Sequence, residues 1–343
     1  IWRSIGIAIV AAQFAVIGTG CAACQQSKLA HTYSHEGARA AIILLHGFAS
    51  SPKTWQFLID EIALTNQPYQ VYTFEFSASR PMMTTTREFM DLMELESGQF
   101  DTAYIVAHSL GGLITQEALH QSELAGTKYT WLPKVKKVVL IGTPNDGTPG
   151  VDVFQNLFQS LVNEKSVFNL FNLNSQVMGE LSKGMQVQRT PGIRYYAIAG
   201  TKPYEFNLGA FTVSTKELFK LVLPNDGITT TASAQHVGGQ YINDSCKNYY
   251  QINLTHTDLV DNPLSRRVIE RIVGEDQYKQ TGTALGYNQY LRLQIEKCDP
   301  QEQIVIIGKP IKPAEEPAPL GCNCGNGVCG VDETPETCPQ DCS

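Results

Sequence analysis

Runs of consecutive hydrophobic residues alternate along this chain with stretches in which hydrophobic residues recur every three to four positions. The continuous runs are typical of β-strands buried on both faces, and the longer period is typical of helices that bury one face. The predicted strands are 40–47, 69–76, 102–108, 135–144, 193–201 and 248–254. The predicted helices are 51–64, 84–96, 111–122 and 263–274.

The order of these elements predicts the fold class. Strands that alternate with helices indicate an α/β fold, in which a mostly parallel sheet is covered by helices on both faces. In such sheets the reactive residues lie at the carboxyl ends of the strands. We therefore expect the chemistry of this protein in the segments that follow the predicted strands, within a domain spanning 39–300.

A long insert, residues 145–190, separates two of the predicted strands. Part of it has hydrophobic residues on one helical face, namely Val153, Phe154, Leu157, Phe158, Leu161 and Val162. This face either packs on the core of the domain or belongs to a mobile lid over an apolar pocket. We describe the insert as lid-like.

The N-terminal residues 1–24 have the layout of an export signal. Arg3 is followed by an uncharged, mostly apolar stretch and then by small residues with Cys21 and Cys24. Three outcomes stay open: cleavage of the signal, lipid attachment to one of the two cysteines, or retention as an anchoring helix. Each predicts a location outside the cytoplasm, secreted or anchored to the membrane as a bacterial lipoprotein, with 25–38 as a tether.

Cysteine usage agrees with export. The five cysteines near the C-terminus indicate a small disulfide-stabilised module at 321–343, which a proline-rich linker at 301–320 joins to the main domain. Cys298 is a candidate partner either for Cys246, in a bridge of the main domain, or for the odd cysteine of the tail. The tail cysteines are Cys322, Cys324, Cys329, Cys338 and Cys342. The tail oxygen donors, which either bind a structural calcium ion or are solvated, are Asn326, Asp332, Glu333 and Asp341.

The composition describes a globular protein whose main partner is not a nucleic acid. The chain has 343 residues, of which 43% are hydrophobic and 17% charged, enough for one large domain with small appendages. Its formal net charge is −7. Binding to a phosphate backbone requires a basic face, so the charge argues against nucleic-acid recognition.

The candidate nucleophilic site is built from four strand-end segments, 44–55, 107–112, 224–234 and 252–260, of which the last three carry its side chains. In chain order, these segments supply a serine in A-H-S-L-G-G, an aspartate in P-N-D-G and a histidine in L-T-H-T-D. The residues are Ser109, Asp226 and His256. A serine hydroxyl is a poor nucleophile until a base removes its proton, and an acid holds that base in one tautomer. We therefore predict Ser109 as the nucleophile, His256 as the base and Asp226 as the acid.

Such a reaction also needs two donors for the oxyanion that forms on the substrate. The backbone N–H of Leu110 is one candidate, because this residue directly follows the nucleophile. The backbone N–H of Phe48, which follows a histidine and a glycine at the end of the first strand, is the other. Each donor typically lowers the barrier by ~3 kcal/mol.

Each assignment has an alternative. His236 is the alternative base, although it follows Asp226 by only ten residues, which leaves little chain for another strand. Asp146, in G-T-P-N-D-G-T, is the alternative acid because it also follows a predicted strand. We interpret His46 and His108 as supporting residues, since each lies at a strand end beside a candidate rather than at the expected position of a base.

Together, H-G-F, A-H-S-L-G-G, G-T-P-N-D-G-T, N-D-G-I and T-H-T-D-L-V resemble the bacterial triacylglycerol lipases and esterases of the α/β-hydrolase superfamily. The resemblance runs over about 40–275. It includes Ala107, because some of those lipases also have alanine in place of the first glycine of the usual G-x-S-x-G motif. It implies the α/β-hydrolase fold, the triad and oxyanion donors named above, and no required cofactor. Some relatives bind calcium near the histidine loop, where Asp258 and Asp261 lie here, but the ligand pattern does not match and we predict no metal there.

The resemblance implies hydrolysis of carboxylic esters, most directly lipid esters, through an acyl-enzyme. Thioesterases, phospholipases and acyltransferases use the same site, so they remain alternatives. A catalytically inert surface protein that kept the hydrolase fold is an alternative from another class. The expected partners are an ester or lipid substrate and, through the N-terminus, a membrane.

Overall fold

The computed structural model describes residues 26–281, except for 49, 78–79, 149–178, 182, 186, 209–210, 215–223 and 243–247. All of the described residues lie within one unit, residues 1–305. The predicted export signal, the proline-rich linker, the cysteine-rich module, Cys246 and Cys298 therefore lie outside the described residues. So does most of the insert, including the residues of the predicted apolar helical face.

A seven-stranded sheet forms the centre of the domain, in the order β1-β3-β2-β4-β5-β6-β11. Its strands are β1 (Lys28–Ser34), β2 (Ala40–Leu45), β3 (Tyr69–Glu75), β4 (Thr102–His108), β5 (Val135–Ile141), β6 (Arg194–Gly200) and β11 (Tyr249–Ile252). All neighbours pair in parallel except β1, which runs antiparallel to β3. The prediction of a mostly parallel sheet is confirmed, and the six parallel strands end at one common edge.

Helices cover both faces of this sheet. They are α1 (Gln56–Leu64), α2 (Met82–Glu96), α3 (Leu110–Leu124), α4 (Thr231–Gln235), α5 (Asp258–Asp261) and α6 (Pro263–Thr281). Helices α2 and α3 contribute to the hydrophobic cluster on one face, and α1 and α6 contribute to the cluster on the other. The predicted α/β class with helices on both faces is confirmed.

The central strand β4 shows why these strands appear as continuous hydrophobic runs. Ile105 belongs to the cluster shared with α2 and α3, whereas its neighbour Val106 belongs to the cluster shared with α1 and α6. Successive side chains of a strand point to opposite faces, so a strand covered on both sides needs hydrophobic residues at every position.

Residues 28–34 correct one prediction. We expected a tether over 25–38, but these residues form strand β1 on the edge of the sheet. The side chain of His31 stacks on Tyr72 of β3, with 4.6 Å between ring centroids. An edge strand buries little side-chain surface and is held largely by backbone hydrogen bonds, so its sequence carries no strong hydrophobic pattern.

Two small antiparallel hairpins complete the described chain, and the hydrophobic pattern did not predict them. They are β7 (Glu205–Leu208) with β8 (Phe211–Ser214), and β9 (His236–Val237) with β10 (Gln240–Tyr241). Among the residues described, no helix is both long enough and apolar enough to span a membrane.

Helix α6 carries a half-buried carboxyl group, that of Glu270. Burial and, after it, the carboxylate of Glu61 raise the pKa of Glu270 to about 7, although Arg266 and Arg267 oppose the shift. The folded protein therefore holds this proton to a higher pH than the unfolded chain does. The resulting stabilisation is fully present below pH 4.5 and is lost as the pH rises to about 7.

Replacing Glu270 by Gln should therefore stabilise the protein only where the carboxyl group is ionised. We expect Glu270→Gln to raise the free energy of unfolding by on the order of 1 to 2 kcal/mol at pH 8 and to leave it nearly unchanged at pH 4. Urea unfolding at both values measures this. Glu36→Gln, at an exposed glutamate, is the matched control and should show no such difference. Equal effects at the two pH values would contradict the prediction.

Candidate active site

Ser109 lies in a sharp turn between β4 and α3. Its backbone has φ 53° and ψ −122°, a left-handed conformation that is uncommon for a residue other than glycine. The N–H of Ser109 donates to the carbonyl of Ile141, and the N–H of Gly112 donates to the carbonyl of Ser109, both at 2.9 Å. The turn is held from both sides, as is typical of strained backbone at functional sites.

Close approach between the ends of β2 and β4 explains two glycines, Gly111 in this turn and Gly47 after β2. A Cβ on Gly111 would lie 2.5 Å from the carbonyl oxygen of His46, and one on Gly47 would lie 3.0 Å from the Cβ of Ser109. Ala107 differs, because it is a fully buried residue of β4 whose methyl group packs in the core. The replacement of the usual glycine at this position is therefore accommodated.

The predicted acid and base contact each other. The Nδ1 of His256 donates to the Oδ2 of Asp226 at 2.7 Å, and their side chains are only 5% and 1% exposed. The other carboxylate oxygen of Asp226 accepts from the N–H of Ile228 at 2.9 Å and of Thr229 at 2.7 Å. Because the carboxylate engages Nδ1, the lone pair of the imidazole is on Nε2, the nitrogen that a general base uses.

The alternative acid and base form a second, separate pair. The Nδ1 of His236 lies 2.6 Å from the Oδ1 of Asp146, and these side chains are 21% and 34% exposed. The ring of His236 contacts the ring of Tyr241 in the β9–β10 hairpin at a tilt of 37°, with 4.6 Å between centroids. The four candidates therefore divide into one buried pair and one surface pair.

Gly142 is a site residue that the sequence reasoning did not identify. It follows β5 with φ 53°, and a Cβ there would lie 3.1 Å from the Oδ2 of Asp226 and from the Nδ1 of His256. Its carbonyl accepts a hydrogen bond from the hydroxyl of Thr229 at 3.0 Å. The available signal was a glycine near the end of the predicted strand 135–144.

Tyr204 also lies at this site without having been predicted. Its hydroxyl accepts from the N–H of Thr257 at 3.0 Å and donates to the Oγ1 of Thr257 at 3.1 Å. Its ring packs against Gly227, where a Cβ would lie 2.4 Å from Cδ2. Burial raises the pKa of the Tyr204 hydroxyl. Tyr204 therefore joins the residue after Asp226 to the residue after His256, and no sequence motif indicates this.

His46 supports the loop at the end of β2. Its Nδ1 donates to the carbonyl of Gly47 at 2.9 Å, and its Nε2 accepts from the N–H of Phe76 at 3.3 Å. The rings of His46 and Phe76 stack, with 4.1 Å between their centroids. Burial lowers the pKa of His46 to about 4, so it is neutral at physiological pH. These contacts stabilise the loop after β2, which also carries Phe48.

The two predicted oxyanion donors follow neighbouring strands. Leu45 at the end of β2 pairs with Ala107 of β4, and Phe48 and Leu110 each come three residues later. Leu110 is the first residue of α3, and the first N–H groups of a helix have no acceptor within it. The helix also directs its positive end toward this edge of the sheet.

One of the two acidic residues after His256 has a charged partner. Asp258 and Asp261 lie in the single turn of α5, and the Oδ1 of Asp261 lies 3.7 Å from the Nη1 of Arg266. Within the described ranges, no group of three or more His, Cys, Asp or Glu side chains is arranged to hold a metal ion. The calcium donors proposed for the tail lie outside those ranges.

Comparisons with known proteins agree with this architecture. Residues 42–202 match the model of the alpha/beta hydrolase family. A lipase of Bacillus licheniformis in its mature form aligns with a TM-score of 0.52 at 18% identity, over 72% of this chain and 97% of that chain. Its propeptide form aligns with a TM-score of 0.53 at 17% identity, over 72% of this chain and 53% of that chain. A comparison with curated proteins found no match. The described domain therefore has the α/β-hydrolase fold.

Proposed function

We propose that this protein is a serine hydrolase that cleaves carboxylic esters through an acyl-enzyme. One observation carries the proposal: a buried His–Asp pair, with 2.7 Å between His256 Nδ1 and Asp226 Oδ2, lies at the sheet edge where Ser109 occupies a strained strand-to-helix turn. A structural turn has no need of a carboxylate and an imidazole buried against each other, because burying such polar groups is costly.

In the first half of the reaction, the Oγ of Ser109 attacks the ester carbonyl carbon while its proton moves to the Nε2 of His256. The carbonyl π electrons move to the oxygen, and the N–H groups of Leu110 and Phe48 donate to this oxyanion. Asp226 stabilises the imidazolium that has formed. Collapse of the tetrahedral intermediate breaks the bond to the alcohol oxygen, which takes the proton from Nε2 and leaves acyl-Ser109.

In the second half, water replaces the alcohol. His256 accepts a proton from the water as its oxygen attacks the acyl carbon, and the oxyanion forms again at the same donors. Collapse then breaks the bond to the Oγ of Ser109, which recovers its proton from Nε2. The products are the free carboxylic acid and the original enzyme.

Lipid esters are the substrate class that we propose. A lipase shares the fold of this domain, and the predicted export signal at 1–24 would deliver the enzyme to extracellular lipid or hold it at a membrane. Thioesters and phospholipids are attacked by the same chemistry, so fold alone does not choose among them.

The test labels Ser109 with a fluorophosphonate probe and then measures hydrolysis of p-nitrophenyl esters from acetyl to palmitoyl, beside a matching thioester series. We expect labelling at Ser109 alone and a maximum of activity at octanoyl or longer chains. Absence of labelling in the folded protein would contradict the serine-hydrolase proposal. A maximum at acetyl with no activity at octanoyl would contradict the lipid assignment only.

A further inference from the structure

His108 is the last residue of β4 and directly precedes Ser109. Its side chain is buried, and its Nε2 lies 3.1 Å from the backbone carbonyl oxygen of His256. The rings of His108 and His256 are in contact, with 4.6 Å between centroids and 45° between planes. The side chain of His108 therefore contacts both the backbone and the ring of His256, the predicted base.

The partner of Nε2 determines the state of this imidazole. A carbonyl oxygen only accepts hydrogen bonds, so Nε2 carries the proton. Burial and, after it, the nearby His256 hold the pKa of His108 well below its usual value, so the ring is neutral. Its Nδ1 is buried without a hydrogen-bond partner among the described residues, and a Cβ on Gly47 would lie 2.7 Å from it.

The loop that carries His256 needs such a contact. It follows β11, a strand of only four residues, and leads into the single turn of α5. The N–H of His256 donates to the carbonyl of Asp226 at 2.9 Å, and the carbonyl of His256 accepts from His108. Both backbone polar groups of His256 are thereby satisfied, and a buried carbonyl left without a donor would be costly.

We propose that His108 is a positioning residue that holds the imidazole of His256 toward Ser109, through its N–H bond to the His256 carbonyl and through ring contact. This inference rests on the proposed function and names a residue that acts through the base. A neutral ring suits the role, since a second positive charge would repel the imidazolium that forms on His256 during each cycle.

Three variants separate the hydrogen bond from simple packing. His108→Gln keeps an N–H donor at a similar reach, whereas His108→Met and His108→Phe keep volume without a donor. We expect Met and Phe to lower kcat by about ten- to a hundredfold with little change in KM, and Gln to restore kcat to within about threefold of wild type. His120→Gln, the same change on the partly exposed face of α3, is the control and should match wild type.

A second measurement does not depend on turnover. Proton NMR of the protein with isotope-labelled histidine observes the Nδ1–H that His256 shares with Asp226, identified by its absence in His256→Gln. We expect this resonance in wild type and His108→Gln, and its loss or broadening in the folded donor-less variants. Donor-less variants that keep both the resonance and kcat, or a Gln variant no better than Met, would overturn the proposal. Inactive wild-type protein that shows the expected NMR pattern would instead overturn the proposed function.

Discussion

Ser109→Ala is expected to abolish ester hydrolysis, with a fall in kcat of about 10⁴- to 10⁶-fold on p-nitrophenyl octanoate. The substitution removes only the Oγ that attacks the carbonyl and leaves the imidazole without a proton to accept. The residual rate comes from substrate binding and the oxyanion donors, which do not depend on the hydroxyl. Initial rates at saturating substrate, with enzyme concentration fixed by absorbance, measure the effect.

The fold should tolerate this change. Alanine has a Cβ like serine, so the left-handed backbone at this position costs about the same with either residue. Ser122→Ala is the matched control, because Ser122 is a fully buried serine of α3 that lies more than three helical turns beyond Ser109. We expect near wild-type kcat from Ser122→Ala. Full activity in Ser109→Ala would refute the nucleophile assignment.

The second large effect separates the two aspartates. Asp226→Asn should lower kcat by about 10⁴-fold, because an amide donor facing Nδ1 favours the wrong imidazole tautomer. Asp146→Asn should leave kcat within about threefold of wild type. Its pair with His236 is partly exposed, and such surface pairs contribute about 0 to 1 kcal/mol.

The same pair of variants contains its own control. Both substitutions remove one negative charge from a histidine contact, so a general effect of charge would appear in both. Thermal unfolding checks that Asp226→Asn, which alters a buried network, is assayed below its midpoint. If Asp146→Asn were the inactive variant and Asp226→Asn the active one, the acid assignment would be reversed.

Much of this protein follows from local sequence. The predicted strand 102–108 has the bounds that the structure gives to β4, because a strand covered on both faces must be hydrophobic throughout. The sequence also predicts that Ser109, Asp226 and His256 lie near one another. Parallel strands bring their carboxyl ends to one edge of the sheet, whatever the length of the loops between them. The sheet class and the type of the predicted strands and helices were therefore determined by the sequence alone, and the sequence also predicts the edge that carries the candidate site.

Contacts between distant residues were decided only by the tertiary structure. Asp146 and Asp226 both follow strands, and only the folded chain places one against His256 in the interior and the other against His236 at the surface. Strand β1 forms through backbone bonding to the edge of β3, which leaves little mark on side-chain composition. Tyr204 forms hydrogen bonds with Thr257, which lies 53 residues later in the chain. Hydrophobic periodicity reports what each segment buries, whereas the pairing of these side chains depends on the geometry of loops that converge at one edge of the sheet.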